Sequence, residues 1–137
     1  IDIETHKFFL SLAGVTVVCG HVFSVFLRFK GGKGISTLFG VLAVLNINIG
    51  ICAAIVWLVM FFWKHISSLS GITMLTALPW LFLLIPWVKN ESPVWPVFFL
   101  FLLLSSLLVY KHLENLKRLL KGQEGQLSVS KNNDLHN

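Results

Sequence analysis

Charge is what this chain has least of. Only 12% of its residues are charged, 6 acidic against 11 Lys and Arg, while 55% are hydrophobic. Soluble domains carry roughly twice that share of charge, so the composition excludes a water-soluble globule and indicates an integral membrane protein. No carboxylate stands inside the apolar runs, which argues against the proton relay of a pump or carrier. Cysteine is scarce too. Cys19 and Cys52 both fall within apolar runs, show no metal-ligand spacing and need not pair. Burial in apolar surroundings disfavours the thiolate, so both read as packing residues rather than nucleophiles. No basic face studded with aromatics is present, and nucleic acid is not an expected partner. The opening (Ile1, Asp2, Glu4, Lys7) has no signal-peptide layout. It reads as the C-terminal part of a longer protein. No soluble domain and no internal repeat is visible.

What the chain does have is Arg28-Phe29-Lys30-Gly31-Gly32-Lys33-Gly34-Ile35-Ser36-Thr37, a turn of glycines and cations between two apolar segments. Glycine permits positive φ and close backbone approach, so successive N–H groups can point at one ligand. The apolar run after the turn reads as a helix, and free N–H groups and the dipole at a helix N-terminus favour anions. Lys30 and Lys33 add full charge. Phosphate binding by Lys30, Gly31, Gly32, Lys33, Gly34, Ser36 and Thr37 is therefore expected; the bland alternative is a loop made basic only to fix topology. The turn is not a Walker A loop, because Gly34 rather than Ser or Thr follows Lys33. That excludes a P-loop ATPase.

The rest of the chain divides by its apolar runs. Phe8 to Phe26 is long enough to cross about 30 Å of hydrocarbon and carries Gly20-His21 near its end. Ile35 to Trp63 would measure about 43 Å as one helix, too long for one span and short for two. Asn46, Asn48 and Gly50 interrupt it. Further spans are expected at 70–88 and 93–110, with Trp87 and Trp95 as interface anchors around Lys89-Asn90-Glu91-Ser92-Pro93. Leu113, Leu116 and Leu120 then mark a surface helix ending at Gly122, followed by a disordered polar tail over 125–137.

Charge decides how the middle run is divided. The basic stretches at 28–33 and 111–121 should both be cytoplasmic, so an even number of crossings must separate them. Splitting the middle run near Asn46 supplies that number, with a short helix at 35–45 followed by 47–63, 70–88 and 93–110. All Lys and Arg residues except Lys7 and Lys89 then fall on the cytoplasmic side. The short helix, about 17 Å long, cannot cross alone, and its glycine-rich start belongs in a thinned or water-filled recess. The expected fold is an all-α polytopic membrane bundle with about five membrane helices.

Candidate chemistry gathers at that cytoplasmic face. His112 and Asn115 are three residues apart, so a helix would place them on one side. Together they offer donors and acceptors able to orient a hydroxyl or phosphate and to move a proton. The alternative for His112 is an ordinary interfacial histidine. His21 has two readings, a site role and an interhelical hydrogen bond, and Ser68 lies in a serine turn, 67–70, that reads first as a helix N-cap.

Gly20-His21-x-Phe23, Phe26 and Phe29-Lys30-Gly31-Gly32-Lys33-Gly34-Ile35-Ser36-Thr37-x-x-Gly40 resemble the second signature of the bacterial acyl-phosphate:glycerol-3-phosphate acyltransferases, the PlsY family. The serine turn at 67–70 and Lys111-His112-x-Glu114-Asn115-x-x-Arg118-Leu119-x-x-Gly122-x-Glu124 are similar to that family's later elements, in order and spacing. The resemblance covers most of the chain. It implies a multi-pass enzyme of the bacterial inner membrane with seven helices, of which these are the last five, and with signatures and C-terminus cytoplasmic. It implies transfer of a fatty acyl group from acyl phosphate to the 1-hydroxyl of sn-glycerol 3-phosphate, giving lysophosphatidic acid and phosphate. Its site would comprise His112 and Asn115 with the glycine turn, supported by His21, Ser68 and Glu124. No cofactor or metal is implied, because acyl phosphate is already activated. Membrane lipids are the other implied partner; the residues name no protein partner.

Two departures stand out. Ser24 occupies a position where the family usually has proline. The family's first signature, Ser-Gly-Asn-x-Gly-Ala-Thr-Asn, is absent, so residues 1–124 read as an N-terminally incomplete acyltransferase domain, expected to be inactive alone. The competing classes are a small transporter or channel subunit, suggested by the broken helix, and a non-catalytic remnant.

Overall fold

The computed structural model describes residues 2–24 and 32–112, together with Lys117 and Lys121. Among them are five helices and no strand: α1 (Ile3–Val22), α2 (Ile35–Leu45), α3 (Ile47–Lys64), α4 (Ser67–Val88) and α5 (Trp95–Lys111). The expected surface helix and tail lie outside the described residues, apart from Lys117 and Lys121. There the Lys121 N–H donates to the Lys117 carbonyl at 3.1 Å.

Asn46 divides the middle run. Its extended backbone (φ −160°, ψ 100°) ends α2 by donating its N–H to the Leu42 carbonyl at 2.9 Å. Its side-chain Oδ1 then caps α3, accepting from the N–H groups of Asn48 at 3.1 Å and Ile49 at 3.3 Å. One residue closes one helix and opens the next. The expected segments 35–45 and 47–63 differ from α2 and α3 by only the terminal Lys64.

Other boundaries shift. The apolar run from Phe8 to Phe26 is not the helix: α1 takes in the polar residues Glu4 and Lys7 and stops at Val22, with Phe23 as its C-cap. An acidic residue in a first turn suits the helix dipole, so polarity there does not mean loop. Likewise α4 starts at Ser67 rather than Ser70. Its N-cap is Ile66, with no side-chain cap, so the serines do not cap the helix. They occupy its first turn instead, where the Ser70 hydroxyl donates back to the Ile66 carbonyl at 2.8 Å.

The helices pack in a closed cycle. Each contacts the next in sequence, and α5 returns to α1. The fully buried side chains Val18 and Val22 of α1, Leu38 and Leu42 of α2, Met74, Leu75 and Leu78 of α4, and Phe101 and Leu108 of α5 form the core. A Cβ on Gly14 would meet Val41 Cγ1 at 2.5 Å, so α1 and α2 touch through a glycine, a common device between membrane helices. Much of the outside is apolar as well. Val44, Leu103 and Trp63 are 78%, 71% and 70% exposed, a surface suited to lipid and not to water. By length and composition α3 and α4 can each cross a membrane, with mean hydropathy of 1.9 and 1.8. The 11 residues of α2 make a rod of about 17 Å that cannot.

Candidate active site

A wide recess, about 680 Å³, opens at the end of the bundle where α2 and α4 begin and α1, α3 and α5 end. Its walls are His21, Gly32, Lys33, Gly34, Ile35, Ser36, Trp57, the stretch His65–Ser68, Gly71 and His112. That size suits a small polar ligand with part of a larger one.

Two helix N-termini face the recess. Neither α2 nor α4 has a side-chain bond from its N-cap residue, which at α2 leaves the first-turn N–H groups available to the recess. By contrast α3, whose start does not line the recess, is capped by Asn46. Free N–H groups and aligned dipoles make the recess attractive to anions, and the exposed Lys33 ammonium adds charge.

The glycine turn meets the bundle closely. Gly34 has φ +77° and is the N-cap of α2; a Cβ there would lie 2.8 Å from Val22 Cγ2 and 3.2 Å from Leu108 Cδ2. Only glycine satisfies both the dihedral and the contact. A Cβ on Gly32 would stand 2.6 Å from His21 Nε2, so the imidazole lies directly against the turn's backbone.

His112 is the most constrained polar group of the site. It is the C-cap of α5 and only 2% exposed. Its Nδ1 lies 2.7 Å from the Leu108 carbonyl, which can only accept, so Nδ1 carries the proton and donates. In the neutral ring Nε2 is then the acceptor. The ring lines the recess, and a Cβ built on Gly71 would be 3.7 Å from Nε2. Nearby, the Lys111 ammonium sits 4.6 Å from the Phe23 ring centroid, tying the end of α5 to the end of α1.

Of the residues expected at the site, His21, Gly32, Lys33, Gly34, Ser36, Ser68 and His112 line one recess. Thr37 does not; it faces a separate groove between α1 and α2 with Gly14, Gly40 and Val41. Lys30, Gly31, Asn115 and Glu124 lie outside the described residues. Sequence reasoning passed over Trp57, His65 and Gly71. His65 carried one usable signal, as a polar residue directly after an apolar run; in the structure it is the left-handed C-cap of α3, φ 54°. Cys19 and Cys52 are free thiols on α1 and α3, away from the recess.

Residues 3–122 match the family model described as glycerol-3-phosphate acyltransferase. Curated relatives of that name include one from Burkholderia thailandensis, 32% identical over 89% of this chain and 58% of its own length. Another, from Aquifex aeolicus, is 38% identical over 84% of this chain and 57% of its own. Among solved structures, PlsY, an integral membrane glycerol 3-phosphate acyltransferase, superposes in its glycerol 3-phosphate form with a TM-score of 0.75 at 33% identity. That match covers 88% of this chain and 57% of PlsY. The lysophosphatidic acid form gives 0.73 at 36% identity, covering 88% and 60%. The chain therefore spans somewhat more than half the length of the proteins it matches. A match over residues 3–122 and the shared bundle establish that this integral membrane chain belongs to the glycerol-3-phosphate acyltransferase family.

Proposed function

We propose that this chain carries the glycerol 3-phosphate site and the transfer centre of an enzyme that moves a fatty acyl group from acyl phosphate to the 1-hydroxyl of sn-glycerol 3-phosphate. The products are lysophosphatidic acid and inorganic phosphate, a step of phospholipid synthesis. One observation carries the reading. His112, with Nδ1 held by the Leu108 carbonyl, lines the same recess as Lys33 and the uncapped start of α2. A phosphate held at the α2 end, with Lys30 and Gly31 as further ligands to it, leaves the acceptor hydroxyl to Nε2. The hydroxyl oxygen attacks the acyl carbonyl carbon, the bond from that carbon to the phosphate oxygen breaks, and the hydroxyl proton passes to Nε2. Asn115 positions a substrate oxygen beside His112; His21, Ser68 and Glu124 support the site. Holding an already activated donor and its acceptor in register supplies most of what this chemistry needs. The apolar groove between α1 and α2, about 430 Å³, offers hydrocarbon walls to an acyl chain.

The distribution of charge supports a multi-pass protein of the inner (plasma) membrane with this recess at the cytoplasmic face. Lys33, Lys64 and Lys111 lie toward the recess end, and Lys7, Lys89 and Glu91 toward the other. Residues 1–124 then form part of a transmembrane acyltransferase domain, with 125–137 as a polar tail. The test is phosphate release from acyl phosphate by the protein expressed from its complete reading frame and reconstituted in bilayers. Release matched by lysophosphatidic acid and dependent on glycerol 3-phosphate is expected. Phosphate release that ignores glycerol 3-phosphate, or none at any concentration of it, would sink the reading.

A further inference from the structure

A second cavity lies at the opposite end of the bundle from the recess, between the starts of α1 and α5 and the ends of α2 and α4. Its volume is about 100 Å³, room for a few waters or one small polar group. The α2 rod begins at the recess and is about 17 Å long, so its end at Leu45 and Asn46 falls inside the hydrocarbon, where backbone groups need partners. That end carries the negative pole of the helix dipole. Phe82 and Pro86 line the same cavity one turn apart on α4. Proline has no N–H, so the Phe82 carbonyl loses its helical donor. Ser11 lines the cavity too and is only 4% exposed. The hydroxyls of Thr16, Ser70, Thr73, Thr76 and Ser106 each donate to the carbonyl four residues back, at 2.8–2.9 Å. Ser11 makes no such bond, nor any other among the described residues. Ser105 also lacks a partner, but its oxygen is sealed in the core, whereas Ser11 borders open space.

Lys7 and Glu91 stand exposed at the rim of this cavity, and no ion pair joins them. Leu10 and Leu45 line both the cavity and the apolar groove between α1 and α2, so polar space and hydrocarbon space meet there. From this arrangement we infer that the cavity is a lipid headgroup site, selecting a phospholipid whose headgroup ends in a primary ammonium. The ammonium donates to the Ser11 oxygen, to the carbonyls left free at Phe82 and at the end of α2, and to the Glu91 carboxylate. The headgroup phosphate faces Lys7, and a chain leaves past Leu10 along the groove. A carboxylate and an ammonium unpaired at one rim match a zwitterion, which presents the opposite charge to each. A trimethylammonium headgroup carries the same charges but no N–H, so it cannot satisfy these acceptors. The inference is independent of the acyltransferase reading.

The experiment places the protein, expressed from its complete reading frame, in nanodiscs holding equal amounts of phosphatidylethanolamine, phosphatidylcholine and phosphatidylglycerol with identical chains. After extraction into detergent, the lipid retained is counted by native mass spectrometry. Wild type is expected to keep phosphatidylethanolamine several-fold over the other two. Ser11→Ala and Glu91→Gln should each bring that preference toward unity, and Lys7→Gln should lower the total retained. Ser11→Ala removes a hydroxyl that has no protein partner, so its unfolding midpoint in nanodiscs of phosphatidylcholine alone should match wild type. Equal retention of phosphatidylethanolamine and phosphatidylcholine by wild type would overturn the site. So would a preference that survives in both Ser11→Ala and Glu91→Gln. Greater retention in Lys7→Gln would mean that the Lys7 ammonium itself fills the cavity, and phosphatidylglycerol kept above phosphatidylethanolamine would mean a site for anionic lipid; either result overturns the inference.

Discussion

A methyl group on Gly34 would have to enter the left-handed region at φ +77° and displace Val22 and Leu108 together, whereas one on Gly32 meets only the imidazole of His21. The exposed His21 can swing away; the buried Val22 and Leu108 cannot. Gly34→Ala should therefore destabilise the protein by about 1–3 kcal/mol, the usual range for a strained backbone position. Gly32→Ala should leave the unfolding midpoint nearly unchanged and weaken the phosphate site through lost backbone approach. A lost contact to a charged group is worth about 1.5–3 kcal/mol, roughly a 10- to 150-fold rise in KM for glycerol 3-phosphate. Wild-type KM in Gly32→Ala would show that the turn does not cradle the phosphate. The glycine-lysine composition made this part of the site legible, because few local structures need several glycines beside cations. Which glycine serves conformation and which serves approach was not legible, since that depends on what α1 and α5 bring against the turn.

At the scale of the helices, Asn46 sets the break in the middle run, ending α2 through its backbone and starting α3 through its side chain. Asn46→Ala should cost about 0.5–2 kcal/mol, read as a lower unfolding midpoint in graded denaturant with the recess unaltered. An unchanged midpoint would mean that packing of Leu38, Leu42 and Ile49 alone holds the break. The division was readable because positive charge fixes the parity of crossings and the polar break lies where that parity requires it. The start of α4 was not. Serine suits both an N-cap and a first turn, and only tertiary placement of Ile66 separates the two. Gly71 and Trp57 escaped for a related reason: on helices apolar on every side, no periodicity marks which residues turn toward a cavity.

The whole molecule brings distant segments together. His112 and the glycine turn stand far apart in the chain, and they share one recess because α5 closes the cycle onto α1. The same arrangement predicts topology. In a background lacking Cys19 and Cys52, cysteines at 64 and 117 should react with an impermeant thiol reagent from the cytoplasmic side only, and one at 91 from the opposite side only. Labelling of 64 and 91 from the same side would break the four-crossing arrangement. If the recess is the transfer centre, its chemistry should depend on His112 in a particular way. The proposed phosphate site lies elsewhere, at the start of α2, so loss of the imidazole should leave binding largely intact while slowing transfer. The most direct measurement is steady-state acyl transfer from acyl phosphate to glycerol 3-phosphate by His112→Ala beside wild type, with both expressed from the complete reading frame. A fall in kcat of about 10²-fold or more, the scale of a positioned acid–base group, with KM changed little, is the predicted result. A kcat close to that of wild type would contradict it.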